Sequence, residues 1–159
     1  MSGRASAGLL VYRLREGRVE VLLVHPGGPL WKNKDAGAWS IPKGEYGPEE
    51  DALAAARREC EEETGLLPEG PFLELRPVKL RSGKIVRAWA VACATDPGAI
   101  RSNTVKMEWP PRSGRHIEFP EVDRAAFFTF AEARLKLNPG QVPLLDEFLS
   151  RFEDEPTAA

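Results

Sequence analysis

The segment from Gly44 to Leu66 reads GEYGPEEDALAAARRECEEETGL, and it decides the fold of this chain. Its run of alanines and a leucine favours a helix, and the acidic residues ahead of that run stabilise the positive end of a helix dipole. Pro48 suits the first helical turn, and Gly65 suits the left-handed conformation that ends a helix. The segment therefore predicts a helix from about Pro48 to Thr64.

Three glutamates of this predicted helix share one face. Glu59 lies three residues before Glu62 and four before Glu63, and side chains at these spacings are neighbours on a helix surface. Like charges so placed destabilise a bare helix, and alanines flank the same face. The set indicates a partly sheltered oxygen site for a hard divalent cation such as Mg²⁺. The alternative is an acidic face in contact with water.

Two glycines precede the helix and decide between these alternatives. Gly44 and Gly47 bracket a predicted turn, and glycine lets the backbone approach a bound phosphate closely. An acidic helix that only faces water has no need of such a turn. The loop therefore favours the cation site over the solvated acidic face.

The whole segment resembles the signature of the Nudix (MutT-like) hydrolases, which is G-x5-E-x7-R-E-U-x-E-E-x-G-U with U a bulky apolar residue. The chain fills every fixed position: Gly44, Glu50, Arg58, Glu59, Glu62, Glu63 and Gly65. A chance match in one frame has a probability on the order of 10⁻⁹ at average residue usage. Cys60 replaces the usual aliphatic residue, and a buried cysteine behaves as a small hydrophobe.

The resemblance implies a metal-dependent hydrolase that cuts a diphosphate linkage, usually in a nucleoside diphosphate joined to another group. It also implies an α/β fold, with a mixed β-sheet sandwiched between α-helices. The implied cofactor is Mg²⁺, with Mn²⁺ as a substitute. The implied partner is a small-molecule nucleotide or polyphosphate.

Roles for individual residues also follow from the resemblance. The metal-binding carboxylates of the family match three residues: Glu59, Glu62 and Glu63. Glu59 also matches the base that activates water, and the Gly44 carbonyl matches a metal ligand. Arg58 and Glu50 match a salt-bridged pair that braces the helix against its loop. Arg58 also joins the three glutamates as a predicted catalytic residue.

A fourth carboxylate is expected outside the segment, because many Nudix enzymes use an acidic residue in the loop before the last strand. The predicted loop from 112 to 121 contains Glu118 and Glu121. Glu121 matches the family position better, so we add it to the predicted catalytic residues, ahead of Glu118 and Glu108. The alternative for each is a solvated loop charge.

Lys43 immediately precedes the first glycine of the signature, in Ile-Pro-Lys-Gly. Pro-Lys-Gly resembles the hydrolases of dinucleoside polyphosphates and of diphosphoinositol polyphosphates. A lysine at this place can hold distal phosphates as a mobile point charge. Four further cations could assist it, although each is alternatively an ordinary surface charge: Lys32, Lys34, Arg81 and Lys84.

Aromatic residues are the candidates for contact with a nucleobase, because every base can stack on an aromatic plane. Trp31 lies in a polar loop and Tyr46 lies inside the signature loop, so we predict both as substrate-binding residues. Trp39 and Trp89 fall in predicted strands, where tryptophan more often belongs to the core.

Three functions fit these residues. The preferred one is a divalent-metal-dependent hydrolase of a dinucleoside polyphosphate. The second is a pyrophosphohydrolase of a nucleoside triphosphate, an ADP-sugar or an inositol pyrophosphate. The third is a non-catalytic nucleotide-binding module, and the intact glutamates argue against it, because such modules commonly lose one.

Composition sets the remaining limits. A length of 159 residues with 42% hydrophobic content predicts one domain, with a core at about 6–149 and frayed ends at 1–4 and 153–159. A net charge of −2 does not favour binding to a nucleic acid duplex. The chain has no apolar run of membrane-spanning length, and its two cysteines lack a ligand-like spacing. We therefore expect a cytoplasmic location without membrane contact, and the oligomeric state stays open.

The pattern of apolar residues and turn signals predicts the other elements. Strands are expected at 6–13, 19–25, 72–80, 84–94, 105–109 and 124–129, and the short segment 39–41 is expected to be extended. Helices are expected at 130–137 and 142–152. The segments 26–38 and 110–120 are expected to be loops.

Overall fold

A mixed β-sheet forms the centre of the protein, in a computed structural model that describes residues 5–94, 98 and 100–154. Its strands are β1 (Ala5–Arg15), β2 (Arg18–Pro26), β3 (Lys43–Tyr46), β4 (Leu73–Glu74), β5 (Val78–Lys79), β6 (Ile85–Ala92) and β9 (Val122–Thr129). A separate hairpin consists of β7 (Thr104–Glu108) and β8 (His116–Pro120). The helices are α1 (Ala52–Thr64), α2 (Phe130–Lys136) and α3 (Val142–Asp154).

β1 is the central strand of this sheet. The strand order is β4-β6-β1-β2-β9, and β1 runs parallel to β6 but antiparallel to β2 and β3. Residues 12–15 of β1 pair with β2, whereas residues 5–8 pair with β3. Because β2 and β3 use different halves of β1, they separate from each other, and a cleft opens between them.

Each face of the sheet has its own hydrophobic core. Successive side chains of a strand point to opposite faces, so Leu9 packs with Ala55 and Ala56 of α1, while Leu10 packs with Phe148 of α3 on the other side. The helices thus cover both faces of the sheet. The predicted α/β fold, with a mixed sheet between helices, is confirmed.

Most predicted elements are present, but α1 begins later than expected. The helix starts at Ala52 rather than near Pro48, because Asp51 has an extended backbone and its side chain accepts the N–H of Ala54 at 3.0 Å. This N-cap satisfies a donor that the helix leaves free. The helix ends as predicted at Gly65, which has a φ of 80°.

The predicted turn between Gly44 and Gly47 is wrong, since residues 43–46 form β3. Pairing with β1 supplies the backbone hydrogen bonds of this segment, which local turn propensity could not indicate. The pairing depends on Gly8 of β1, because a Cβ atom there would lie 2.5 Å from the carbonyl oxygen of Pro42.

Two further expectations need correction. Residues 116–120 were expected in a loop but form β8, because they pair with β7, and Ile117 and Phe119 alternate with more exposed neighbours. The strand expected at 72–80 is divided into β4 and β5, since Pro77 has no N–H to donate.

The expectations for the two ends have different outcomes. α3 continues to Asp154, so fraying from residue 153 onward is wrong for the backbone of 153 and 154. Residues 1–4 and 155–159, also expected to fray, lie outside the described residues. In the described part of the chain, no helix combines the length and the apolar character required to cross a lipid bilayer.

A buried histidine fixes the loop 26–38. His25 is fully buried at the end of β2, and its Nε2 donates to the carbonyl oxygen of Lys34 at 2.6 Å. Its Nδ1 lies 2.8 Å from the carboxylate of Asp123 in β9. Trp39, which packs edge-on against the His25 ring, donates to Asp35 in the same loop at 2.7 Å. The loop is therefore tied to β9 through one side chain.

We predict that His25→Phe lowers the free energy of unfolding by about 1–3 kcal/mol, because the Lys34 carbonyl loses its buried donor. Urea unfolding followed by circular dichroism measures this change. His116→Phe, a matched substitution at an exposed position, should change stability by less than about 0.5 kcal/mol. Equal effects of the two substitutions would show that the His25 hydrogen bonds do not stabilise the loop.

Candidate active site

A cleft of about 530 Å³ opens where β2 and β3 separate, a volume typical of a small-molecule site. It is lined by side chains and backbone from β1, β2, β3, α1 and the junction of β8 with β9. The lining residues are Ser6, Val24, Pro26, Ser40, Lys43, Gly44, Glu45, Glu59, Glu62, Glu63, Lys84, Glu121 and Val122.

Four of the predicted carboxylates meet in this cleft. Three come from one face of α1, as their spacing indicates, and the fourth is Glu121. Glu59 and Glu63 retain only 7% and 6% of their exposure to solvent. The other acidic candidates are elsewhere, since Glu118 is exposed on β8 and the Glu108 carboxylate accepts backbone N–H groups of its own hairpin.

Backbone hydrogen bonds hold Glu121 in place. The N–H of Gly27 donates to the Glu121 carbonyl at 2.9 Å, and the N–H of Glu121 donates to the Asn103 carbonyl at 2.9 Å. Asn103 in turn donates its N–H to the Glu62 carbonyl of α1 at 2.8 Å. A short series of backbone contacts therefore connects Glu121 to the helix that carries the other carboxylates.

The same strand that replaces the predicted turn brings Lys43 and Gly44 against α1. The N–H of Lys43 donates to Glu63 Oε1 at 3.2 Å. The Glu59 carboxylate packs directly on Gly44, where a Cβ atom would lie 2.0 Å from Glu59 Oε1. Only glycine leaves room for this carboxylate beside the strand.

Burial, and then mutual repulsion, raise the pKa of two carboxylates of this cleft, Glu63 and Glu59. Burial, with a further contribution from Glu121, raises the pKa of Glu63 to about 9. Burial and then the charge of Glu62 raise the pKa of Glu59 above its ordinary value. The protein therefore does not fully compensate the charged forms of these two carboxylates.

Arg58 is the cation closest to these carboxylates. Its guanidinium makes a two-point contact with Glu50, at 2.8 and 2.9 Å. Its Nη1 also lies 2.8 Å from Glu59 and 3.2 Å from Glu62. The hydrogen bonds to Glu50 above all raise the pKa of Arg58. Arg58 therefore joins the loop before α1 to two of the carboxylates in the cleft.

The donor set fits a hard divalent cation, although it is not gathered around one point. Within the described residues, no three carboxylate, imidazole or thiol groups converge at ligand spacing. Glu59 and Glu62 instead face Arg58, and a bound cation would compete with it for their oxygens. All the candidate donors are oxygens, the type of ligand that Mg²⁺ and Mn²⁺ prefer.

Two lysines line the same cleft. Lys43 and Lys84 lie close enough that, after burial, the charge of Lys84 contributes to a lowered pKa of Lys43. Lys84 Nζ lies 3.5 Å from Glu45 Oε2. The sequence indicates Lys84 only as an auxiliary cation. Lys84 reaches the cleft because β6 begins beside the first residue of β1.

Ser6, Ser40 and Glu45 also line the cleft, although the sequence does not mark them as candidate site residues. Ser6 is fully buried on β1, and its Oγ has no hydrogen-bond partner among the described residues. The available signal was a serine at the start of an otherwise apolar strand, Ser-Ala-Gly-Leu-Leu-Val. That signal is weak, because serine is common at strand ends.

The two predicted aromatic contacts lie outside the cleft. Tyr46, on β3, packs against the core on the α1 side and hydrogen-bonds with Arg87. Trp31 lies in the loop 26–38, beside a smaller groove that shares Pro26 and Glu121 with the cleft. The structure therefore brings Lys43, Gly44 and the carboxylates together, but not Tyr46.

Several solved structures are similar to this chain over nearly its whole length. The NUDIX domain of NrtR from Shewanella oneidensis, complexed with ADP ribose, is similar with a TM-score of 0.68 and 14% identity, over 96% of this chain and 90% of that chain. An Ap4A hydrolase from C. elegans has a TM-score of 0.65 and 21% identity, over 94% and 99% of the two chains. A mutT/nudix family protein from Listeria innocua has a TM-score of 0.65 and 20% identity, over 97% and 96%.

At these identities the similarity shows a common fold, and the sequence itself identifies the family. No curated protein matches the sequence significantly. The family model described as the NUDIX domain, however, matches residues 3–148, which is nearly the whole chain. The chain therefore belongs to the Nudix family of pyrophosphohydrolases.

Proposed function

We propose that the protein is a divalent-metal-dependent hydrolase that cleaves a diphosphate linkage in a nucleotide-linked substrate, preferably a dinucleoside polyphosphate. The proposal rests on one observation: three carboxylates of α1 and one each from β3 and from the junction of β8 with β9 line a cleft that also contains two lysines. Acidic groups suit a cation, and lysines suit the phosphates that the cation does not neutralise. The similarity to an Ap4A hydrolase agrees with the preferred substrate.

The metal ligands that we propose are the Gly44 carbonyl and the carboxylates of Glu59, Glu62 and Glu63, with Glu121 beside them. A bound Mg²⁺ or Mn²⁺ would neutralise the phosphate charge and polarise the phosphoryl group. The pair of Arg58 and Glu50 would hold α1 and its preceding loop in register, since their hydrogen bonds connect the two. Arg58 is thus a positioning residue in this proposal.

In the proposed reaction, the oxygen of a water molecule forms a bond to phosphorus, and the phosphoanhydride P–O bond breaks. The departing phosphate keeps the electron pair of that bond. A carboxylate accepts the proton of the attacking water, and Glu59 is our choice for this base because it faces both the cleft and the Gly44 backbone. The leaving group is itself a phosphate, so it needs little help from an acid.

Lys43 and Lys84 would bind the rest of the phosphate chain. Both line the cleft, and an ammonium group on a flexible stem can follow phosphates at different positions. Two such groups beside the carboxylates favour a substrate with several phosphates over one with two. This is the feature of the cleft that supports a polyphosphate substrate.

We also propose that the chain forms one domain that works in a reducing, cytoplasmic environment. The two cores lie on opposite faces of the same sheet, which supports a single folding unit. Cys60 and Cys93 are both free thiols, which supports a reducing compartment.

Product analysis is the direct test of the reaction. The protein would be incubated with Mg²⁺ and a panel of dinucleoside polyphosphates, nucleoside triphosphates, ADP-ribose and inositol pyrophosphates, and the products separated by chromatography. We expect metal-dependent cleavage, with dinucleoside polyphosphates cleaved fastest. Faster cleavage of another class would overturn the preferred substrate. No cleavage of any class by folded protein would favour a nucleotide-binding module instead.

We predict that Glu59→Gln and Glu63→Gln each lower kcat by about 100-fold or more, because each removes a metal ligand or a base and keeps the side-chain volume. Steady-state kinetics at saturating Mg²⁺ measures this loss, and circular dichroism checks the fold. Glu61→Gln, an exposed position of the same helix, is the matched control and should keep wild-type kcat. Wild-type activity in both cleft variants would contradict the assigned site.

We predict that Gly44→Ala weakens Mn²⁺ binding and activity by roughly 10-fold to 100-fold, because the new Cβ displaces the Glu59 carboxylate. Mn²⁺ affinity can be measured by electron paramagnetic resonance without substrate. Gly47→Ala is the control, since a Cβ there meets no atom within 4 Å. If the two alanine variants bind Mn²⁺ equally well, contact between Gly44 and Glu59 is not required for the site.

We predict that Lys43→Ala raises KM for long polyphosphate chains by roughly tenfold, and raises it less for short ones, because one charged contact to a distal phosphate is lost. The measurement compares KM for dinucleoside polyphosphates that differ only in phosphate number. Lys79→Ala, an exposed lysine outside the cleft, serves as the control. Equal increases for short and long chains would mean that Lys43 does not sense chain length.

A further inference from the structure

A second, smaller groove continues the carboxylate cleft beyond Glu121. It has a volume of about 250 Å³ and shares Pro26 and Glu121 with the cleft. We call it the hairpin groove, and its lining is Pro26, Gly27, Gly28, Pro29, Leu30, Trp31, Val105, Met107, Phe119 and Glu121. The lining is mostly apolar, in contrast to the charged cleft beside it.

The β7–β8 hairpin forms one wall of this groove. Alternate residues of a strand share one face, so Val105 and Met107 of β7 present their side chains on the same side, together with Phe119 of β8. The opposite face of the hairpin carries the more exposed Lys106 and Glu118. The hairpin thus turns an apolar face toward the loop 26–38.

The other wall is the first part of that loop, and two glycines allow it to approach the hairpin closely. A Cβ at Gly28 would lie 2.5 Å from the Phe119 ring, and one at Gly27 would lie 2.0 Å from the Pro120 carbonyl oxygen. The Gly27 N–H also donates to the Glu121 carbonyl at 2.9 Å. The two walls are therefore in direct contact at the base of the groove.

Trp31 stands at the open side of the groove with 36% of its surface exposed. Its backbone is held in a turn, since its N–H donates to Gly28 at 3.2 Å and its carbonyl accepts from Lys34 at 3.0 Å. The ammonium of Lys34 lies 5.1 Å from the centre of the Trp31 ring system. A partly exposed aromatic plane and a cation therefore lie together at the open side of the groove.

We propose that the hairpin groove binds the nucleobase of the substrate, against Trp31 and Phe119, while the phosphates extend past Glu121 into the carboxylate cleft. The groove is smaller than the usual site for a whole drug-sized ligand, so it suits one ring system. A nucleobase can stack through its π face on an aromatic side chain, whereas an inositol ring has no π face and carries a hydroxyl on every carbon. This inference rests on the proposed function, and it selects nucleotides over inositol pyrophosphates within it.

The test compares two probes that differ only in the base, adenosine monophosphate and ribose 5-phosphate. Their Kd values would be measured by ligand-detected NMR without metal, so that catalysis does not enter. We expect the wild type to bind adenosine monophosphate at least about tenfold more tightly. Trp31→Ala and Phe119→Ala should each remove most of this difference, and Trp31→Phe should restore part of it, because a phenyl ring still stacks.

Leu14→Ala is the control, since Leu14 is 63% exposed at the far end of β1 and does not line the groove. It should leave both Kd values unchanged, and circular dichroism shows whether each variant is folded. Equal affinity of the wild type for the two probes would overturn the proposal. So would a preference for adenosine monophosphate that persists in folded Trp31→Ala and Phe119→Ala.

The binding test of the groove and the cleavage test of the hydrolase can give different results. Base-dependent binding that requires Trp31 and Phe119, without cleavage of any substrate in the panel, would support the groove and reject the hydrolase. Cleavage of dinucleoside polyphosphates by a protein whose Trp31 and Phe119 variants keep the base preference would support the hydrolase and reject the groove.

Discussion

The contact between α1 and β3 is the constraint on which the site depends. Two carboxylates of α1 meet the backbone of β3: Glu59 packs on Gly44, and Glu63 accepts the N–H of Lys43. β3 can lie there only because it pairs with the first residues of β1, next to Gly8. The cleft therefore depends on close packing of α1 against β3, and a side chain at position 44 would push these two elements apart.

This arrangement buries negative charge, which costs free energy unless a cation offsets it. Arg58 offsets part of it through Glu59 and Glu62, while its main contact is to Glu50 in the preceding segment. Among the described residues Glu63 forms no ion pair, and burial above all, then the charge of Glu121, raises its pKa. A bound divalent cation would relieve the repulsion between the carboxylates of the cleft. Without a cation, the same carboxylates lower the stability of the fold.

The periphery of the cleft is built from segments that are distant in sequence. The loop 26–38 is fixed by His25 through Lys34 and Asp123, and it is joined to the hairpin at Gly27. These contacts place Glu121 beside the carboxylates and place Trp31 beside Phe119. The proposed catalytic cleft and the proposed base-binding groove therefore adjoin at Glu121, which lines both.

The sequence by itself determined the parts that depend on local spacing. Helical propensity and the intervals between Glu59, Glu62 and Glu63 sufficed for the existence of α1 and for its acidic face, and the seven fixed positions of the signature indicated the family. Tertiary structure decided the rest, because pairing between distant strands has no local signal. It turned the expected turn at 43–46 and the expected loop at 116–120 into strands, and it put Ser6 and Lys84 in the cleft. It also separated Tyr46 from Trp31, since Tyr46 follows β3 to the α1 side while long-range contacts through His25 hold the loop of Trp31 against the hairpin.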